Sequence, residues 1–489
     1  MNRVYKVIWF PASGRAGDTR GYRNRTGVSH LRILFLPLFA LVAITPLLGQ
    51  AAPEPVQIVV GRSVVHLTGP WKFHTGDDSR WADPDFEDSG WESVDLTAPP
   101  GAHDDDVGLT GYVPGWGSRG HRGYSGYAWY RLRVAVASPG IQDFALTGPP
   151  AVDSAYQVFI NGHLLGGLGS FAGKTPTAFS IQPRRFAIPS SFIGGKASDS
   201  ALIALRVWMG PWELADPTAG GIHIAPALGE ASGIDALYQT QWLQTIKGYI
   251  VEVGEAALFL LLAVMAWTVA ALERSKQAYG WLCAALVLTA LFRANQAVFY
   301  WGQFESVHAA EVISVVLLIP LCLSAWTLAW HAWLLRRGME WMPMVVGVLT
   351  VLYIAAHFLM GSWFHGILPA WTGTASGFVA TWIRRAFVLL TGIILGQAIR
   401  QRRKEAWLPL TAAVLVMIGQ FARELSALGI RGIWFPFGTG VSRTQYAYAI
   451  FAVVLFALLL RRLLFFAHQQ RSLSFQETDE RASVLVAKK

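Results

Sequence analysis

From residue 250 onward the sequence becomes a series of long apolar runs, and nothing else in the chain constrains its fold as strongly. The runs lie at 250–272, 278–300, 309–334, 341–361, 373–399, 406–428 and 444–466. Each approaches the ~20 residues that a helix needs to cross a ~30 Å hydrocarbon core. In that core every backbone N–H and C=O must be satisfied within the element, so such runs fold as helices. The spacing predicts seven transmembrane helices. Only 15% of the residues are charged, against roughly 25% in soluble domains, which excludes a wholly soluble or disordered chain.

The gaps between the runs alternate in charge. Arg274 and Lys276 follow the first run, Arg336 and Arg337 the third, and Arg400, Arg402, Arg403 and Lys404 the fifth. Arg461 and Arg462 close the seventh. The gaps 301–308 and 362–372 hold no Lys or Arg, and 429–443 holds only Arg431 and Arg443. Cytoplasmic loops are the ones enriched in Lys and Arg, so the segment before residue 250 is expected outside and the C-terminus in the cytoplasm. The net charge of +9 is topological in this reading and predicts no nucleic-acid partner.

The N-terminal half has a different grammar. Residues 1–52 combine a basic start, an apolar stretch from Leu31 to Leu48 and small residues at Gly49 and Ala51. That is the pattern of a signal sequence, cleaved or kept as an anchor. Residues 53–235 hold short alternating runs, among them 129–136, 155–160 and 201–208, separated by Gly, Pro, Asp and Ser clusters. Alternation with β-branched and aromatic residues predicts strands, and Asn161-Gly162 predicts a hairpin. The expected fold is an all-β sandwich outside the membrane, a helical bundle of seven transmembrane spans over 250–466, and a cytoplasmic tail over 467–489.

Several segments of the β region resemble, in their order, the N-terminal domain of family 2 glycoside hydrolases. They are Trp71-Lys72-Phe73, Phe86-Glu87-Asp88-Ser89-Gly90-Trp91, Trp129-Tyr130-Arg131 and Val158-Phe159-Ile160-Asn161-Gly162. The resemblance covers roughly 65–210 and implies a galactose-binding-like jelly-roll, a fold often used to bind carbohydrate. The hydrolytic carboxylates of that family lie on a separate barrel with no counterpart here, so the expectation is that the chain is not an enzyme. The layout as a whole resembles bacterial seven-transmembrane receptors with diverse intracellular signalling modules. That resemblance implies an output domain after the last span, whereas only about 23 residues follow Phe466, too few for a catalytic domain. A cytoplasmic signalling partner or a missing output domain is therefore expected, with a homodimer formed through the tail as a further option.

Flat rings beside polar donors suit sugars, because apolar sugar faces stack on rings while hydroxyls take hydrogen bonds. Tyr112, Trp116, Arg119, His121 and Tyr124 form such a stretch and are the expected ligand-binding residues, whereas Trp71 and Trp129 lie in strand-like runs and are expected in the core. Asp104, Asp105 and Asp106 are weak candidates for Ca²⁺, since clustered carboxylates supply its oxygen ligands but their spacing matches no known loop; no other cofactor is expected. His308 and Glu311 have a helical spacing seen in metal sites but lack a second half. Charges inside spans are costly and mark function by default. Glu252, Glu255, Arg293 and Arg423 are thus expected to form a network that couples the helices.

These expectations combine into a membrane receptor for a carbohydrate-like ligand. Two alternatives remain at this point: a membrane-tethered glycan-binding protein without signalling, and a transporter or membrane enzyme that uses the intramembrane Glu and Arg residues.

Overall fold

A computed structural model describes residues 64–487, apart from 105–106, 136–142, 190–199, 212, 214–216, 273–275, 336–337, 362–366, 402–406, 428–432 and 435–440. The expected signal sequence over 1–52, and most of the basic gap residues, lie outside the described residues. What is described is a sheet-rich N-terminal region followed by a helical region.

Among the described residues twelve strands build the first region. They are β1 (Val64–His66), β2 (Trp71–Thr75), β3 (Glu92–Val94), β4 (Gly126–Ala135), β5 (Phe144–Thr147), β6 (Ala151–Asp153), β7 (Ala155–Ile160), β8 (His163–Leu168), β9 (Arg185–Ile188), β10 (Ser200–Met209), β11 (Gly221–Ile224) and β12 (Ala227–Glu230). A six-stranded sheet runs β3-β2-β4-β10-β7-β8, a four-stranded sheet runs β1-β12-β5-β9, and β11 pairs with β6. The period of two decides what each strand buries. In β4, Ala128, Tyr130, Leu132 and Val134 enter the core shared with the smaller sheet, as do Ala201, Ile203, Leu205, Val207 and Met209 of β10. Leu146, Ile188 and Leu228 meet them from the four-stranded side. Trp71 and Trp129 are 0% and 1% exposed, core as the sequence suggests.

The outer face of the larger sheet explains the motif at 86–91. Arg131 points there, fully buried, and its guanidinium is held by Asp88 at 2.8 Å and by the carbonyls of Trp81, Asp83 and Phe86. The rings of Phe86 and Trp91 flank it at 5.4 and 5.6 Å, a cation–π arrangement that favours the charged group away from water. The Phe, Asp and Trp of the motif thus form a lid over one arginine of the Trp-Tyr-Arg strand. At the hairpin, Asn161 adopts φ 45°, and its side-chain oxygen accepts from Leu202 N–H at 2.8 Å.

The helical region begins without a linker. Strand β12 ends at Glu230 and α1 runs unbroken from Ala231 to Leu272. Then come α2 (Lys276–Trp301), α3 (Val307–Leu334, with a π-helical stretch at Val312–Leu318), α4 (Met342–Met360), α5 (Ala370–Arg400), α6 (Trp407–Gln420), α7 (Ala422–Ala427) and α8 (Arg443–Ala487). Among the described residues six of these are long and apolar enough to cross a membrane. The expectation of seven is not met as stated, because the run at 406–428 forms only the 14-residue α6 before its helix breaks. The backbone ladder nevertheless spans that break, with Phe421 N–H donating to Met417 at 2.9 Å and Leu425 N–H to Phe421 at 3.1 Å. Apolar side chains also point outward, including Val264, Trp267, Met344, Phe378 and Val453, as helices in contact with lipid require.

Candidate functional site

The sheet-rich region rests directly on α1, α2 and the start of α3. Val107, Leu109, Ala151 and Ile224 pack with Tyr249, Phe299, Tyr300 and Ala310 in one apolar cluster. Polar ties surround it. Gln244 donates to the Val107 carbonyl at 2.9 Å, Gln182 to the Tyr300 carbonyl at 3.1 Å, and Val307 N–H to the Ala178 carbonyl at 2.9 Å. Arg184 donates to Gln303, and Arg185 pairs with Asp235.

Within this junction lies a cavity of about 90 Å³. The sheet-rich region contributes Asp104, Asp153, Ser154, Phe179, Ser180 and Glu213, and the helices contribute Thr245, Tyr249, Phe299, Tyr300, Val307 and Glu311. Asp104 is 4% exposed, and its carboxylate accepts from the backbone N–H groups of Val107 at 2.8 Å and Leu109 at 2.5 Å. Asp153 accepts from Gly220 N–H at 2.7 Å and lies 2.7 Å from His223 Nε2. The Tyr112 ring stacks on His223, with centroids 4.9 Å apart and 1° between the planes.

The expected ligand-binding stretch is therefore tied to the cavity wall, although its members play different parts. Tyr112 is half-buried and reaches the wall through His223 and Asp153. Trp116 is 2% exposed, packed against Phe73 and under the Gly220-Gly221 turn, so neither ring face is open to a ligand. At Gly220 φ is +106°, and a Cβ there would sit 2.2 Å from Trp116 Nε1; only glycine fits over the indole. Arg119 donates to the carbonyls of Asp95 and Pro114 at 3.0 and 3.2 Å, and His121 lies 3.0 Å from Glu92. The Tyr124 hydroxyl donates to the Tyr127 carbonyl and accepts from Gly76 N–H. Burial holds its pKa above the ordinary phenol value, with the Gly76 N–H opposing. Arg119, His121 and Tyr124 keep partly exposed edges.

Of the acidic triplet, Asp105 and Asp106 lie outside the described residues, and Asp104 serves as a clasp for its own loop. No group of three or more potential metal ligands comes together among the described residues. Replacing Asp104 with Ala strands two buried N–H groups, each worth about 1–3 kcal/mol. A drop in thermal midpoint of several degrees for the purified full chain is the expected result, with Asp104→Asn in between.

A second constellation lies one turn deeper. Arg293 on α2 is 1% exposed, Glu252 and Glu255 on α1 are 2% and 5%, and Gln445 on α8 is 4%. Arg293 Nε is 3.1 Å from Glu255 and Nη1 is 3.5 Å from Glu252. Gln445 donates to Glu252 at 2.6 Å, and the guanidinium lies 4.9 Å from the Tyr448 ring centroid. This joins three of the four residues expected to form a network, Glu252, Glu255 and Arg293, and adds two from α8 that the sequence pattern does not reveal. Nothing is described of the Arg423 side chain; its neighbour Glu424 pairs with Arg384 at 2.6 Å. Thr245, Tyr249, Glu252 and Glu255 recur at helical spacing, so cavity wall and ion cluster share one face of α1.

No family model matches the sequence, and no curated protein matches it. Solved structures do. A β-glucuronidase from Bacteroides uniformis is 20% identical, with 34% of this chain and 17% of that chain covered and a TM-score of 0.24. A glycosyl hydrolase family 2 member from Bacteroides cellulosilyticus is 16% identical, covering 34% and 20% with a TM-score of 0.23. A β-glycosidase from Bacteroides vulgatus is 20% identical, covering 34% and 20% with a TM-score of 0.22. The matched part thus spans 17–20% of these solved chains. Since these neighbours are glycosidases, the expectation that the chain is not an enzyme is withdrawn. The likeness itself carries no activity to the chain.

Proposed function

We propose that the chain is a membrane receptor. Its sheet-rich region, a jelly-roll in this reading, takes a carbohydrate-like ligand outside a bacterial inner membrane, and its helices pass the resulting shift toward a cytoplasmic partner. The observation that carries the proposal is the unbroken helix Ala231–Leu272, which leaves the last strand of the sheet-rich region and is long and apolar enough to cross a membrane. One of its faces carries both the cavity residues Thr245 and Tyr249 and the buried carboxylates Glu252 and Glu255. A ligand biases such an equilibrium by its differential affinity for the two packings, and a rigid helix shared by both sites gives that bias a path. The partly exposed edges of Tyr112, Arg119, His121 and Tyr124 are the proposed contacts for sugar rings and hydroxyls.

The proposed topology counts α6 and α7 as a seventh crossing. Together they cover 407–427 with the ladder intact across Phe421, about 31 Å at ~1.5 Å per residue. Seven crossings place the sheet-rich region and the long terminal helix on opposite sides, in line with the alternation of basic gaps. The test is glycan-array binding by the full chain in nanodiscs. Selective binding of one glycan class, weakened tenfold or more by His121→Ala or Arg119→Ala, is the expected result. Binding of no glycan by a folded sample would overturn the carbohydrate assignment.

A further inference from the structure

The junction cavity has a chemistry that a sugar does not need. Among the described residues four carboxylates line it, Asp104, Asp153 and Glu213 from the sheet-rich region and Glu311 from α3, and no Lys or Arg does. Its other walls are mostly aromatic or apolar, among them Phe179, Phe299, and the stacked pair Tyr249 and Tyr300, whose centroids are 4.0 Å apart at 11°, with Ser154, Ser180 and Thr245 as the hydroxyl side chains between them. Asp104 and Asp153 are fixed in place by backbone N–H groups and by His223. Glu311 faces them from another element, at the last position before the π-helical stretch Val312–Leu318. π-Helical turns inside α-helices often mark functional sites. The carboxylates do not converge on one metal-sized point among the described residues; they are spread around the wall.

We propose that this cavity binds a small organic cation, an ammonium group carried on a few carbon atoms. A partly desolvated carboxylate attracts an ammonium far more strongly than one in water, and aromatic walls add cation–π attraction while accommodating the alkyl part. Size sets the limit. A cavity of about 150 Å³ holds benzene, so about 90 Å³ suits an alkylamine of about four heavy atoms. Because α1, α2 and α3 all supply wall residues, the bound cation bridges the sheet-rich region and the bundle. The proposed sugar contacts are not among its lining residues, and the assignment of a cation does not depend on them.

The test uses the full chain in nanodiscs of uncharged lipid, titrated with n-propylammonium chloride. n-Propanol and sodium chloride serve as controls. Saturable calorimetric binding and a raised thermal midpoint with the amine alone are expected. Glu311→Gln, which keeps side-chain size, should weaken binding tenfold or more while leaving the unliganded midpoint within a few degrees. Glu213→Gln should weaken it less, and Phe299→Leu should reduce it through the aromatic wall. Equal binding of propanol, unchanged binding by both Gln variants, or no saturable binding by folded protein would each overturn the proposal. A negative glycan array leaves it untouched.

Discussion

Replacing Arg293 with Met destabilises the helical bundle by about 3–5 kcal/mol, because two carboxylates lose the cation they were buried with. Glu252 and Glu255 are 2% and 5% exposed, and the only cation shown paired with either among the described residues is Arg293. Both carboxylates are buried, so solvation is expected to offset little of the loss. The measurement is thermal or denaturant unfolding of nanodisc-embedded protein, followed through near-UV circular dichroism. The triple variant Arg293→Met, Glu252→Gln, Glu255→Gln should regain most of the loss, since a buried ion cluster replaced by neutral groups is often no less stable. A single variant as stable as the original would mean that the cluster is hydrated.

The second large effect is in the sheet-rich region. Trp116→Ala should cost about 3–5 kcal/mol, as large-to-small changes at filled core positions do. The indole packs under Gly220 and Gly221 and beside Phe73, and its Nε1–H donates to the Tyr124 carbonyl at 3.3 Å. Its removal therefore loosens the turn whose Gly220 N–H holds Asp153. Ligand loss in this variant would report unfolding rather than a lost contact. Arg119→Ala, at the partly exposed rim, should stay within about 1 kcal/mol of the original. Unfolding curves of the two variants separate core from rim, and equal curves would contradict the burial described for Trp116.

Much of this architecture is legible from periodicity alone. Alternation along β4 and β10 identifies which side chains enter the core, and the long apolar runs locate the middle helices to within a few residues, whereas α1 begins at Ala231 and α8 runs on to Ala487, well outside their runs. Arg293 is readable as a buried charge because it lies in mid-run beside Asn295 and Gln296. The residues that α8 adds to the cluster are not, since Gln445 meets Glu252 across 193 residues of sequence. The sixth run reads as one span because composition registers apolarity but not the break at Phe421. Trp116 reads as a ligand contact because aromatic residues in Gly-rich loops usually lie on surfaces. The paired glycines at 220–221, which make room above its ring, were the signal against that reading. The junction cavity lies beyond any local pattern, for its walls come from seven separate stretches between residues 104 and 311.

The central claim is that the sheet-rich region and the bundle respond as one unit through α1. It is tested most directly by hydrogen–deuterium exchange of the full chain in nanodiscs, with and without the glycan selected on the array. The account expects protection to change both in the 107–124 stretch and in 241–256 on α1, where cavity wall and ion cluster share a face. Changes confined to the sheet-rich region, with α1 unaltered at saturating glycan, would contradict it.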